Sequence, residues 1–314
     1  MQAIAITEFG GADKLQLIDV PMPEPGQGEI LIRVKAAGVN PVDWKIRRGM
    51  LKGRMPHKFP LIPGWDAAGI VSRRGPGADF FADGAQVYAY CRTPVIRGGT
   101  YAEYVTVPQE NAALKPKNMS FEEAATVPLA ALTAYQSLFD AAKLERNESV
   151  LIHAAAGGVG SFAVQLARNQ GARVFGTASP RNHAYIRGLG CTVPVDYTSG
   201  DFRPRVRQAN PDGVDVVFDC VGGVLTASME VLGKAGRVVS IVDPGEVEKL
   251  KQKGVQAHYV FVSPNHDELT ALTRMIEDGR LRTHISARFR LDEAAKAQAM
   301  SETQHTVGKI VLTI

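Results

Sequence analysis

The sequence predicts an α/β protein: a mostly β domain plus a doubly wound parallel sheet of six strands. Three observations carry this. The first third alternates short β-type runs with Pro- and Gly-rich turns. From Ser149 onward, apolar strand-like runs alternate with helix-like ones. A glycine-rich turn, Ala154-Ala155-Ala156-Gly157-Gly158-Val159-Gly160, joins the first of those strands to the first of those helices.

In chain order, MQAIAIT, EILIRVKAAGV, AAGIVSR, AQVYAY and TYAEYVTV read as strands of the β domain. Pro21–Glu29 and Arg73–Asp79 read as turns. The stretch from Asn118 to Leu144 reads as helix, with Ser120 as N-cap and Glu123 at capping-box spacing. Then come SVLIH, ARVFGTA, CTVPV, GVDVVFD, GRVVSIV and AHYVFV, apolar runs with helical stretches between most of them. The first of those helices, SFAVQLARNQ, stops at Gly171, a C-cap residue. A further helix, HDELTALTRMIEDG, follows Asn265. The tail mixes short strands with the helix LDEAAKAQAMSE and ends in GKIVLTI, a strand outside the αβ alternation that is expected to return to the β domain. The expected domains are therefore 1–122 with 265–314, and 123–264.

Composition excludes several classes. The 314 residues suit two domains, with 45% hydrophobic and 22% charged residues, as in an ordinary globular protein. A formal net charge of +4 is too mild for a nucleic-acid or membrane partner. The basic run Arg203–Gln208 alternates as a solvated face does and carries no interleaved aromatics. The three cysteines, Cys91, Cys191 and Cys220, are far apart and form no zinc-knuckle spacing. No apolar h-region opens the chain, and no run reaches the ~18 residues of a membrane span. A reducing, cytoplasmic setting is the expectation.

A strand–turn–helix context turns the glycine turn from a weak motif into a dinucleotide site. Gly157 and Gly158 let backbone approach a pyrophosphate, Gly160 lets the helix pack on the strand, and the helix N-terminus favours negative charge. The backbone of Ala156 to Val159 is the expected contact. Ala155 replaces the first glycine of the strict motif and is tolerated if its φ is negative. An NAD-binding sheet usually carries an acid about 20 residues further on, for the ribose 2′-hydroxyl. Between Ser161 and Val195 this chain has no Asp or Glu. The second strand ends instead in Thr177, Ser179, Arg181 and Asn182, groups suited to a 2′-phosphate. The expected cofactor is NADP(H).

Asn147-Glu148, Leu151, Ala155-Ala156-Gly157-Gly158, Gly160, Gln165 and Arg168 resemble the quinone oxidoreductase/zeta-crystallin signature. GVNPVDWKIRRG, FPLIPGWDAAGIV, GTYAEYV, VPLAALTAYQSL, VFDCVGG and GKIVL extend that resemblance over nearly the whole chain. The chain thus resembles the zinc-independent branch of the medium-chain dehydrogenase/reductase superfamily, and PLAALTAY with TASPRN is similar to its alkenal/enone reductases. The resemblance implies a GroES-like catalytic domain and a Rossmann domain. Where zinc-dependent relatives have a Cys and the His of a G-H-E motif, this chain has Asn40 and Trp65, and neither is a usual zinc ligand. Without that Lewis acid, acceptors that delocalise charge themselves are expected: quinones, or α,β-unsaturated carbonyls reduced at the C=C bond.

The resemblance also assigns roles. Asn40 and Lys45 are candidate donors to the substrate oxygen; Lys45 reads equally as a surface or cofactor-phosphate contact. Trp44 either lines the substrate pocket or packs in the core, and Trp65 fills the volume of the missing metal site. Asp43 orients a neighbour, and Asp66 makes local hydrogen bonds. Thr133 and Tyr135 resemble positions near the nicotinamide and ribose, with Thr133 the stronger candidate. Tyr197, Cys220-Val221-Gly222, Ile241-Val242 and Phe261-Val262 lie at strand ends where this family holds its cofactor. Lys309 resembles a cofactor-proximal position, a solvent-exposed lysine being the alternative. His153 reads as a packed histidine, and Cys191 and Cys220 as small buried apolar residues. A homodimer paired through the sixth strand is expected. Two other functions remain open: an enoyl-thioester reductase, and an NADPH-binding, crystallin-like protein with no enzymatic role.

Overall fold

The computed structural model describes residues 1–314. The chain divides into two compact units, residues 1–132 with 263–314, and residues 133–262. In chain order the first unit contributes β1 (Gln2–Ala5), β2 (Gln16–Asp19), β3 (Glu29–Val39), α1 (Pro41–Arg47), β4 (Asp66–Arg74), β5 (Gln86–Tyr90), β6 (Tyr104–Pro108), β7 (Ala112–Leu114) and α2 (Phe121–Ala125). Helix α3 (Pro128–Tyr135) crosses the boundary. The second unit holds β8 (Ser149–Ile152), α4 (Gly158–Gln170), β9 (Arg173–Ala178), α5 (His183–Leu189), β10 (Val193–Asp196), α6 (Arg203–Ala209), β11 (Val214–Asp219), α7 (Leu225–Ser228), β12 (Leu232–Ser240), α8 (Pro244–Gln252) and β13 (Gln256–Tyr259). The tail adds α9 (His266–Glu277), β14 (Ile285–Arg290), α10 (Ala294–Glu302) and β15 (Lys309–Thr313) to the first unit.

In the first unit, β3 is the central strand of a mixed sheet ordered β14-β15-β3-β4-β5-β7, with β6 also pairing to β3. Its alternation changes face part-way. Ile30, Ile32 and Val34 enter one core with Val71, Val87 and Val105. After a register shift between Val34 and Ala36, Ala37 and Val39 enter a second core with Ile4, Tyr101, Ala297 and Ile310. The tail strand β15 pairs antiparallel with β3, Ile310 opposite Val39, so GKIVLTI does return to the β unit.

This topology sets up the site. β15 and β4 flank β3, and β5 flanks β4. Lys309 starts β15, Asn40 follows the end of β3, Asp66 starts β4 and Tyr90 ends β5, with Asp66 opposite Tyr90 in register. Four polar side chains distant in sequence therefore share one end of four adjacent strands.

The second unit is a sheet ordered β10-β9-β8-β11-β12-β13, every pair parallel. The two halves diverge from the β8–β11 pair, which is the switch point where doubly wound sheets bind ligands. Its core is built from Leu151, Phe175, Val195, Val217, Val238 and neighbours. The six expected strands are all present; β13 ends at Tyr259, short of the expected AHYVFV run.

The stretch expected as one helix from Asn118 to Leu144 is broken. Ser120 caps α2, accepting from the Glu123 amide, while the Glu123 carboxylate accepts from the Ser120 amide. The chain then leaves the helix at Thr126–Val127 and restarts at Pro128, whose ring excludes an α conformation for the residue before it. Beyond Tyr135 the helix widens into π turns over Gln136–Ala141.

Candidate active site

The glycine turn follows β8 directly. Ala154 carries the positive φ (53°), and Gly157 lies at −76°, so the turn's unusual backbone rests on an alanine rather than on its first glycine. The Ala154 amide donates to Thr177 Oγ1 at 3.1 Å, and the Ala155 amide to the Thr177 carbonyl at 3.0 Å, which fastens the turn to β9. Gly160 is the tight point: a Cβ there would sit 2.2 Å from the Ala154 carbonyl oxygen and 2.8 Å from Ala155 Cα. Gly176 makes room for the extra methyl of Ala155, since a Cβ on Gly176 would lie 2.8 Å from Ala155 Cβ. The alanine in place of the first motif glycine is thus accommodated by a glycine on the neighbouring strand. The first-turn amides of α4 have no carbonyl four residues back to bond, so they are available to phosphate oxygens.

The expected cofactor residues collect at the carboxyl ends of this sheet. Ala156 to Val159 follow β8. Thr177, buried, is the last residue but one of β9, with half-buried Ser179 and Asn182 and exposed Arg181 beyond the strand; Asn182 Nδ2 donates to Ser179 Oγ at 3.2 Å. Tyr197, 52% exposed, follows β10. Cys220, half-buried rather than buried as expected, Val221, 49% exposed, and Gly222, φ 86°, follow β11. Ile241 and Val242 follow β12, and Phe261 and Val262 lie past β13. These groups fit a dinucleotide laid along the strand ends. Thr133, buried, opens the unit on α3.

One organiser of these loops is Asp219, the last residue of β11. Its Oδ1 accepts from the Val221 and Gly222 amides at 2.9 and 2.8 Å, and its Oδ2 accepts from Ser240 Oγ at 2.8 Å. Ser240 Oγ in turn accepts from the Val242 and Asp243 amides. One buried carboxylate therefore sets both loops. His153 is buried against Ser228 Oγ and Phe202, and burial pulls it down to about 4, so it is a packed neutral histidine.

In the first unit the strand ends build a buried polar cluster. The Asn40 amide nitrogen donates to Asp66 Oδ2 at 2.8 Å, and Asn40 Oδ1 accepts from the Lys309 ammonium. Lys309 also donates to the Val39 carbonyl at 3.2 Å and lies 4.0 Å from Asp66 Oδ2. Asp66 Oδ1 accepts from the Leu129 amide at 2.8 Å. Asp43 Oδ2 accepts from the Asn40 backbone amide at 2.8 Å and from Tyr101 OH at 2.9 Å, while its Oδ1 has no partner. Burial pushes Asp43 up to about 7, against the pull of the Asn40 amide and the Tyr101 hydroxyl. It pushes Asp66 up to about 6, against Lys309, Asn40 and the Leu129 amide. Burial lowers the Lys309 ammonium, which Asp66 and Asp43 partly restore.

This cluster rules out one alternative and corrects one expectation. Lys309 is 4% exposed, so it is no solvent lysine, and its bonds run to Asn40 and Val39. Asp66 bonds across to Asn40 and Leu129 rather than locally. Lys45 is half-buried on α1, its ammonium 5.6 Å from the Trp44 ring centre, and burial lowers it too. Trp44 and Trp65 are nearly buried; Trp44 Nε1 has no partner, and Trp65 meets the Tyr90 ring edge-on at 6.1 Å. Neither Tyr90, which ends β5, nor Tyr101, which precedes β6, is signalled by the sequence as more than buried.

The side chains at these positions do not fit a zinc ion. No group of three or more His, Cys, Asp or Glu converges as ligands. Asp66 is occupied by Asn40, the Leu129 amide and the nearby Lys309 ammonium, whose charge repels a cation. His57 packs between Phe9 and Phe59, and Cys91 is a buried thiol raised by burial.

The zinc-binding dehydrogenase family matches residues 189–312, and the alcohol dehydrogenase GroES-like domain matches residues 26–117. The chloroplast envelope quinone oxidoreductase homolog of Arabidopsis thaliana is 32% identical, over 99% of this chain and 98% of its own. The chloroplastic NADPH-dependent alkenal/one oxidoreductase of the same plant is 34% identical, over 99% and 79%. The crystal structure of Escherichia coli quinone oxidoreductase complexed with NADPH superposes with a TM-score of 0.90 at 28% identity, covering 100% of both chains. Fold, signature and full-length likeness agree: the chain is an oxidoreductase-family protein of the quinone oxidoreductase branch of the medium-chain dehydrogenase/reductase superfamily.

Proposed function

We propose that the protein is a zinc-independent, NADPH-dependent reductase of quinones or of the C=C bond of α,β-unsaturated carbonyls. The observation that carries this reading is the cluster at the strand ends of the first unit: Asn40 stands where zinc-dependent relatives have a Cys, and its amide is bonded to a lysine ammonium and a carboxylate. Catalysis then depends on a substrate that spreads its own developing charge and on fixed protein donors for the remainder. Relatives named for quinone and for alkenal/one chemistry support the acceptor class.

The nicotinamide supplies the hydride when bound. The chain's own residues hold and orient it. The α4 amides and the Ala156–Val159 backbone take the pyrophosphate, and Ser179, Arg181 and Asn182 take the 2′-phosphate past the end of β9, a strand that itself carries no acid. Asp219 and Ser240 hold the loops that carry Cys220–Gly222 and Ile241–Val242. On the substrate side, Asn40 donates to the oxygen that gains charge. Lys45, its ammonium already disfavoured by burial, supplies the proton that completes reduction. Trp44 and Trp65 wall the substrate from water. Thr133 contacts the nicotinamide ribose, and Phe261 and Val262 bound the carboxamide.

The decisive measurement is NADPH oxidation with a panel of quinones, enones and enoyl thioesters, before and after chelation. Expected are turnover with the first two and no loss on chelation; stoichiometric zinc with chelator-sensitive turnover reverses the metal reading. NADPH should bind at least about tenfold tighter than NADH, and Arg181→Ala should narrow that gap. Equal wild-type affinities would remove the specificity argument.

A further inference from the structure

An amide nitrogen carries two hydrogens and its oxygen accepts. In Asn40 the oxygen takes the Lys309 ammonium, and one hydrogen goes to Asp66 Oδ2. The residue is 1% exposed, and its nitrogen has no second protein acceptor. One buried N–H is therefore left unspent, which costs free energy unless something accepts it. The side chain cannot turn to spend it elsewhere. Rotation by half a turn would set the amide NH₂ against an ammonium and the amide oxygen against a carboxylate, both repulsive. The backbone is held as well, because the Asn40 amide donates to Asp43 and the Asp43 amide to the Asn40 carbonyl.

We propose that Lys309 is a positioning residue: with Asp66 it clamps the Asn40 amide, so that the second Nδ2 hydrogen is held and strengthened as the donor to the substrate's carbonyl or quinone oxygen. This rests on the reductase reading above and changes the role of Lys309 from cofactor contact to organiser of the substrate donor. The strengthening has a simple cause. A positive charge on the amide oxygen draws electron density from the nitrogen, and hydrogen bonds in a chain polarise one another where the dielectric is low. The ammonium acts on the substrate through one intervening amide, without touching it.

The clamp predicts a difference between acceptors. Hydride addition to an enone leaves charge concentrated on one enolate oxygen, whereas a quinone spreads it over a ring. A strengthened donor therefore matters more to the enone. The test is steady-state kinetics of Lys309→Met with one enone and one quinone, alongside NADPH affinity by fluorescence quenching. Expected is a fall in enone kcat of about tenfold or more, a quinone kcat within about threefold of wild type, and an unchanged NADPH affinity. Should the single variant not fold, the pair Lys309→Met with Asp66→Asn removes the ammonium together with the carboxylate 4.0 Å from it, and the same enone-selective fall is expected. Enone and quinone turnover falling alike, or a weakened NADPH affinity with kcat intact, overturns the assignment. Wild-type protein that binds NADPH and reduces neither acceptor overturns the reductase reading itself, and this inference with it.

Discussion

The dinucleotide turn and the buried cluster are opposite ways of building a site. The turn is made of backbone. Seven consecutive residues hold it, its exacting positions are small residues, and Gly160 is fixed by a backbone clash. The cluster is made of side chains. Asn40 with Asp43, Asp66, Tyr101 and Lys309 come from four separated stretches, every one is buried, and charge, geometry and proton count must balance together. A backbone site tolerates changes of residue as long as the path of the chain survives, as Ala155 shows. A side-chain site tolerates almost none.

The largest way to break this comparison is at Gly160. Gly160→Val places a Cβ 2.2 Å from the Ala154 carbonyl oxygen, backbone that has nowhere to go. Expected is a destabilisation of about 3 kcal/mol in denaturant melts, with loss of NADPH binding. At Gly157 the φ is −76° and the nearest atom to an added Cβ lies at 3.3 Å, so Gly157→Ala should cost under about 1 kcal/mol. If both variants behave alike, the turn is not built around one close approach.

That contrast also explains what the sequence made legible. The six parallel strands, the turn, the return of GKIVLTI and the Ser120–Glu123 cap each rest on adjacent residues, where period and spacing speak directly. The break at Thr126–Val127 was missed although Pro128 signalled it, because the apolar pattern continues through it. Lys309 could not be placed from its neighbours. A lysine opening a strand reads as exposed or buried alike until β3 is known to lie beside β15. Nor could Tyr101 be tied to Asp43, which lies 58 positions away.

The cluster makes its own prediction in pH. Asp43 sits near 3.8 when unfolded and about 7 when folded, so across that window the folded state binds the extra proton. The contribution of this group to stability is full below pH 4 and declines as pH rises toward 7, a loss on the order of a few kcal/mol. Asp66 acts in the same direction up to about 6. His153, held neutral down to about 4, acts oppositely over the same range, so the raw pH profile mixes signs. The difference between wild type and Asp43→Asn isolates the carboxylate. The variant keeps an oxygen for the Asn40 amide and Tyr101 OH, and it should gain on wild type as pH goes from 5 to 8. Parallel profiles would show that Asp43 is not charged against its burial.

The smallest effect separates two tyrosines on one face of β5. Tyr88 and Tyr90 are both fully buried. Tyr88 OH donates to the Leu269 carbonyl at 2.7 Å and meets Thr273 Oγ1 at 2.9 Å, whereas Tyr90 OH, beside Trp65, has no partner. The ring packing is the same chemistry in both, so Phe substitutions isolate the hydroxyls. Tyr88→Phe strands a buried carbonyl and should cost about 1 to 2 kcal/mol. Tyr90→Phe removes a hydroxyl that was desolvated with no bond in return, and it should leave stability unchanged or raise it by up to about 1 kcal/mol. Equal losses in urea melts would mean that Tyr90 OH is bonded to water in solution. The strand end would then be wet, and the unspent Asn40 hydrogen at the same edge would have an ordinary acceptor when no substrate is bound.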